Sequence, residues 1–142
     1  MKRALLTIAL LLAVRVSTSA DDLIIGAPVG NPITMTGSAI RLVPNPNTAR
    51  PILCHQIQIQ VQPGGNGLVY VLNAAPNVTM AYNGAATTTV DSLGPGTSTQ
   101  PGQQWVYPSS PMQGANVDMR YIGVYGTGTG PDTVLATCSL TQ

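Results

Sequence analysis

The stretch from Leu53 to Gln62 constrains the fold more than any other part of the chain. Ile57, Ile59 and Val61 alternate there with Gln56, Gln58, Gln60 and Gln62. Successive side chains of a strand point to opposite faces, so this period of two creates one apolar face and one amide face. A helix would scatter the same residues around its circumference. The run therefore predicts a half-buried strand of an antiparallel sheet, with its isoleucines turned toward a core. Pro63-Gly64-Gly65-Asn66-Gly67 follows, and then the β-rich run Leu68–Asn73. Read locally, Leu53–Asn73 is a β-hairpin.

A second alternating run places Val117, Met119, Tyr121, Gly123 and Tyr125 on one face of a strand and Asp118, Arg120, Ile122 and Val124 on the other. The glycine-rich loop Gly126–Asp132 leads from it into Thr133–Leu140, which reads as a second hairpin. Shorter strands are expected at Ser38–Val43, Val78–Tyr82, Thr87–Leu93 and Gln103–Tyr107. Pro44-Asn45-Pro46-Asn47, Gly94-Pro95-Gly96 and Gln100-Pro101-Gly102 punctuate them. About eight short strands with turns every 8–12 residues predict an all-β chain, a single antiparallel β-sandwich of jelly-roll-like form. The expected organisation is a hydrophobic N-terminal segment over residues 1–20, an extended segment over 21–50 and the sandwich over 51–142. There is no internal repeat.

Charge narrows the function. Residues 21–142 contain no Lys and no Glu, and three arginines (Arg41, Arg50, Arg120) face five aspartates, a formal charge of −2. So few cations cannot neutralise a run of phosphates, which argues against nucleic-acid binding. Solubility has to come from Gln, Asn, Ser and Thr, as suits a surface outside the cytoplasm or one packed against copies of itself.

Met1–Ala20 has a positive start (Lys2, Arg3), an apolar run Ala4–Val14 and the small polar end Ser17-Thr18-Ser19-Ala20. That is the layout of a secretory signal peptide cut near Ala20. The apolar run is 11 residues long, against the ~20 a membrane span needs, so membrane contact is expected only through this leader during export. The other reading is a hydrophobic arm that stays attached.

Catalytic chemistry finds little to work with. Acid–base catalysis uses histidines or paired carboxylates, and the chain has one histidine, His55. Alternation puts His55 on the face of Ile57, Ile59 and Val61, as a core-edge or interface residue. Asp91, Asp118 and Asp132 could meet only through the fold, and they lack the dense spacing of a calcium loop. Asp118 and Arg120, two apart on a strand face, read as a surface ion pair. Gly126–Gly130 lacks the Lys-Ser/Thr ending of a phosphate-binding loop. No catalytic, cofactor-binding or metal-binding residue is assigned, no small-molecule substrate is evident, and the chain is read as not an enzyme. Cys54 and Cys138, 84 residues apart, could pair in an exported protein or lie as two buried thiols in a reducing compartment. Among the aromatics, Tyr70, Trp105, Tyr107, Tyr121 and Tyr125 lie on or beside strands. They are candidates for an interface, with burial in the core as the alternative.

The run Pro51-Ile52-Leu53-Cys54-His55-Gln56-Ile57-Gln58-Ile59-Gln60-Val61-Gln62-Pro63, followed by Gly64-Gly65-Asn66-Gly67-Leu68-Val69-Tyr70-Val71, resembles small phage and prophage virion-associated β domains. In these a Cys-led alternating strand passes through an Asn/Gly turn into a Val-Tyr-Val strand. The resemblance extends through Leu93-Gly94-Pro95-Gly96, the aromatic strand at Trp105, Asp118-Met119-Arg120-Tyr121-Ile122-Gly123-Val124-Tyr125 and the glycine-rich turn before Asp132-Thr133-Val134. It spans roughly residues 50–138 and rests on strand and turn patterns rather than catalytic signatures. It implies a multi-copy structural protein of a virus particle: a capsid decoration, head-fibre or fibre-base component with other virion proteins as partners. The leader departs from that pattern. Either it is a retained arm that docks onto neighbouring subunits, or the chain is a secreted or cell-surface binding module, adhesin-like or glycan-binding, with a similar fold.

Overall fold

A computed structural model describes residues 22–25, 32–109 and 116–140, those of 22–25 as backbone. The leader, residues 1–20, lies outside the described residues. The strands are β1 (Asp22–Ile25), β2 (Ile33–Met35), β3 (Ile40–Arg41), β4 (Leu53–Val61), β5 (Val69–Asn73), β6 (Thr88–Leu93), β7 (Gln104–Tyr107), β8 (Val117–Asp118), β9 (Ile122–Gly126) and β10 (Asp132–Leu140). A 3-10 turn, Met119–Tyr121, separates β8 from β9.

The pairing is nested. β5 pairs with β6, β4 with β7, β3 with β9, and β1 and β2 with β10, all antiparallel. The chain thus behaves as one long hairpin that closes at β5–β6 and is then rolled up. Rolling brings β10 against β4 and β9 against β5. Two sheets result, β1-β10-β4-β7 and β3-β9-β5-β6, with β2 beside β10 and β8 beside β4 in the first. This is the two-sheet, double Greek-key arrangement of a jelly roll. Its first strand is split into β1 and β2 in the first sheet and β3 joins the second, so the segment before residue 51 contributes strands to both sheets.

Neither expected hairpin forms. β4 and β5 lie in opposite sheets, as do β9 and β10. The apolar faces of β4 (Ile57, Ile59, Val61) and β5 (Val69, Val71) enter the same core, but from opposite sides. The turn between them therefore spans the ~10 Å gap between sheets instead of reversing the chain within one. Val117–Tyr125 is likewise not one strand. The 3-10 turn carries the chain from the first sheet to the second and resets the alternation. Met119, Ile122 and Val124 face the core, and Tyr121 is parted from the face that carries Gly123 and Tyr125. Asp118 caps the turn by accepting from the Arg120 N–H at 3.0 Å.

His55 is a further departure from simple alternation. The β4–β10 register runs regularly to Gln56↔Ser139 and then shifts to Cys54↔Leu140. His55 is the extra residue of a β-bulge. Cys54, not His55, takes the inward place, fully buried, while His55 is half-buried.

Val78–Tyr82 forms no strand. It belongs to the β5–β6 connection, which lies over the outer face of the second sheet: Met80 and Ala74 bury against Leu72, with Tyr70, Val78, Tyr82 and Tyr125 around them. Arg41 fastens this cover. Its guanidinium donates to the carbonyls of Ala74 (3.1 Å), Ala75 (2.7 Å), Val78 (2.7 Å) and Arg120 (2.8 Å). Burial lowers its pKa from the ordinary arginine value.

The glycine loops close on an aspartate. Asp132 is 1% exposed and accepts from the backbone N–H groups of Asn66 (3.2 Å), Gly67 (3.1 Å) and Gly128 (2.7 Å). A Cβ on Gly65, Gly67, Gly126 or Gly128 would stand 2.6–2.8 Å from one of its carboxylate oxygens. These four glycines let backbone approach this side chain.

Candidate functional site

The outer face of the second sheet is covered, whereas no loop among the described residues is packed over that of the first. Gln56, Gln58 and Gln60 of β4 line it beside Gln104 and Val106 of β7 and Thr133, Leu135, Thr137 and Ser139 of β10, all uncharged. The amides hold one another. Gln58 donates to Gln56 (3.1 Å), Gln104 to Gln58 (3.2 Å), and Gln60 to the Gly102 carbonyl (2.8 Å). These bonds order long side chains that would otherwise lose rotamer freedom on contact with a partner.

A cleft of about 520 Å³ opens where β6 and β7 form the free edges of the two sheets. Trp105 and Tyr107 alternate onto the inward side of β7, opposite Ile59 and Ile57 of β4. Their rings lie nearly parallel, 6° apart with centroids 5.6 Å apart. The indole is buried at 7% exposure, whereas Tyr107 is 51% exposed because the sandwich opens beyond it. Tyr121 comes from the 3-10 turn, Val90 from β6, Asn73 from the end of β5, and Asn116 precedes β8. Val90, Tyr107 and Tyr121 are three of the five large hydrophobic side chains left exposed among the described residues.

The charge at this cleft is neutralised within the chain. Arg120 donates to Asp118 through Nε (2.9 and 3.1 Å) and a terminal nitrogen (2.7 Å), and also to the Ala49 carbonyl (3.2 Å). The pair expected at the surface is thus a two-pronged, largely sheltered bridge. Burial pushes the Asp118 carboxyl up, but the Arg120 side-chain bonds, the backbone bonds from Arg120 and Ile52, and the Arg120 charge outweigh it. The carboxyl ends below its ordinary value. Its contribution to stability is complete above the unfolded carboxyl's pKa of ~3.9 and fades as the pH falls through the lower folded value. Asp118→Asn should therefore lower the urea midpoint at neutral pH, and its curve should converge with that of the parent chain in acid. Parallel curves down to the acid limit would refute this role.

The five aromatic candidates fall into two groups. Trp105, Tyr107 and Tyr121 meet in the cleft. Tyr70 and Tyr125 stand instead on the outer face of the second sheet, stacked with Tyr82: centroids are 4.5 Å apart for Tyr70–Tyr82 and 4.7 Å for Tyr82–Tyr125. A hydrogen bond with Tyr82, then burial, raises the pKa of Tyr70. The pattern reading missed Tyr82, which lay in a run read as a strand, and it missed Val90, Asn73 and Asn116, which no local signal links to the cleft.

The aspartates are dispersed: Asp91 is exposed on edge strand β6, Asp118 is bound to Arg120, and Asp132 sits under the glycine loops. Among the described residues no group of three or more His, Cys, Asp or Glu could hold a metal ion. Cys54 and Cys138, on neighbouring strands, are joined by a disulfide with Cα atoms 5.4 Å apart. Comparison of the chain with protein families, curated proteins and solved structures finds no match.

Proposed function

We propose that the chain is a non-enzymatic structural protein of a phage-type virion, a decoration, head-fibre or fibre-base component that assembles with its own copies and other virion proteins. The observation carrying this reading is the open outer face of the β1-β10-β4-β7 sheet. Amides, hydroxyls and the aliphatic Val106 and Leu135 build it without a charge on β4, β7 or β10, and its glutamines are already ordered by mutual bonds. A partner seated over β10, β4 and β7 would desolvate no ion, and few charges is what the centre of a protein interface favours. The jelly roll supports the reading as an architecture that viral capsid subunits also use, although a fold is not by itself a function.

The disulfide favours a second reading, a secreted or cell-surface binding module, because such bonds persist in oxidising compartments. One experiment separates the two. Purified particles should contain the chain by mass spectrometry, and the isolated chain should grow in mass with concentration by light scattering. Substituting Gln58 and Thr137 together by Arg should abolish that growth. A chain that begins at Asp21, is absent from particles and stays monomeric would overturn the first reading and support the second.

A further inference from the structure

We infer that the cleft between the β6 and β7 edges is a binding site for a neutral saccharide. The inference is independent of the virion proposal, because it rests on a different surface from the open sheet face.

Three properties of the cleft select this ligand class. The first is an exposed aromatic ring. Tyr107 stacks parallel to the buried Trp105, with 6° between the planes and 5.6 Å between the centroids, and is itself half exposed. One face of a pyranose is lined with C–H groups and can lie on such a ring, while its hydroxyls stay directed outward. Tyr121, 39% exposed, stands in the same cleft and carries a hydroxyl. An amphipathic ring with a polar tip suits a half-wet site of this kind.

The second property is amide chemistry in the lining. Asn73 is half-buried and Asn116 exposed. Each side chain offers both a donor and an acceptor, as a sugar hydroxyl does. The third is the charge. Among the described residues the one ionised group in the lining is Asp118, and Arg120 already engages both of its oxygens. With no free cation among the described lining residues, phosphorylated, sulfated and carboxylated ligands find no counter-charge in them. A purely apolar ligand would leave the two amides without partners, which is costly once they lose water. A neutral, hydroxyl-rich ring with one apolar face meets all three conditions.

Trp105 is the only tryptophan of the chain, so its emission reports on this site alone. The full chain is titrated with maltotriose, cellotriose and chitotriose, followed by tryptophan fluorescence and isothermal calorimetry, with glucose 6-phosphate as the anionic comparison. At least one neutral trisaccharide is expected to bind saturably and to shift the Trp105 emission, while the phosphate sugar is not. Tyr107→Ala should weaken that binding about tenfold, as loss of a stacked aromatic does, and Tyr107→Phe should keep most of it. Leu68→Ser, exposed elsewhere on the surface, should leave it unchanged. Circular dichroism of each variant establishes that it is folded. The inference is overturned if none of the three trisaccharides binds by calorimetry, if Tyr107→Ala binds as the parent does, or if the phosphate sugar binds as well as the neutral ones. It also falls if a short extended peptide shifts Trp105 where the sugars do not.

Discussion

Asp132→Ala is expected to lower the unfolding free energy by roughly 3–5 kcal/mol, a large part of what a domain of this size possesses. The carboxylate is the shared acceptor for three backbone N–H groups from two loops. Alanine leaves those donors around a gap, and only the Asn66–Thr129 and Leu68–Thr127 bonds still join the loops. Asp132→Asn should recover only part of the loss, since its NH2 would face donors where the carboxylate presented an acceptor. Gly128→Ala should be damaging by itself, because the new Cβ would stand 2.6 Å from both carboxylate oxygens. Combined with Asp132→Ala it should cost less than the sum, the sign of a shared contact. Urea unfolding with an unchanged slope measures each term. An Asp132→Ala midpoint indistinguishable from that of the parent would show the loops to be held by other means.

The second large effect belongs to the disulfide. Cys54 and Cys138 close a loop of 84 residues, and on the chain-entropy argument such a link raises the free energy of the unfolded chain by about 4–5 kcal/mol. The Cys54→Ala/Cys138→Ala pair should lose at least most of this, because both sulfurs are fully buried and their removal also leaves a void. The urea midpoint of the double variant, set beside that of the parent chain reduced and alkylated after unfolding, is the measurement. Near-equal stability of the double variant and the oxidised parent would mean that the bond constrains a chain already constrained by other contacts.

What was legible in the chain divides along a physical line. The inward placement of Ile57, Ile59 and Val61 could be read directly, because a strand buried on one face leaves a period of two in the sequence whatever its neighbours are. Strand partners could not be read. A short glycine-rich turn serves equally for reversal within a sheet and for crossing between sheets, and the choice is made by distant partners: β10 and β7 for β4, β9 and β6 for β5. The bulge at His55 and the 3-10 turn at Met119–Tyr121 each slip the alternation by local geometry, so face assignments failed at His55 and Tyr121. The cleft is the extreme case. Asn73, Val90, Trp105 and Tyr121 belong to separate elements that only the rolled hairpin brings together. The expectation that aromatics mark a surface could therefore identify Tyr107 and Tyr121 without showing that they belong together or that Tyr70 and Tyr125 stand elsewhere.

The nested pairing also sets a timetable. β10 lies in the interior of its sheet, bound to β1 and β2 on one side and β4 on the other. As the polypeptide is synthesised, β1 and β2 must wait unpaired until residues 132–140 have emerged, about a hundred residues after β1, while β4 can already pair with β7. A topology with contacts this distant folds slowly. The growing chain stays threadable for as long as it lacks its closing strand, so passage through a narrow translocation channel would have to precede folding rather than compete with it.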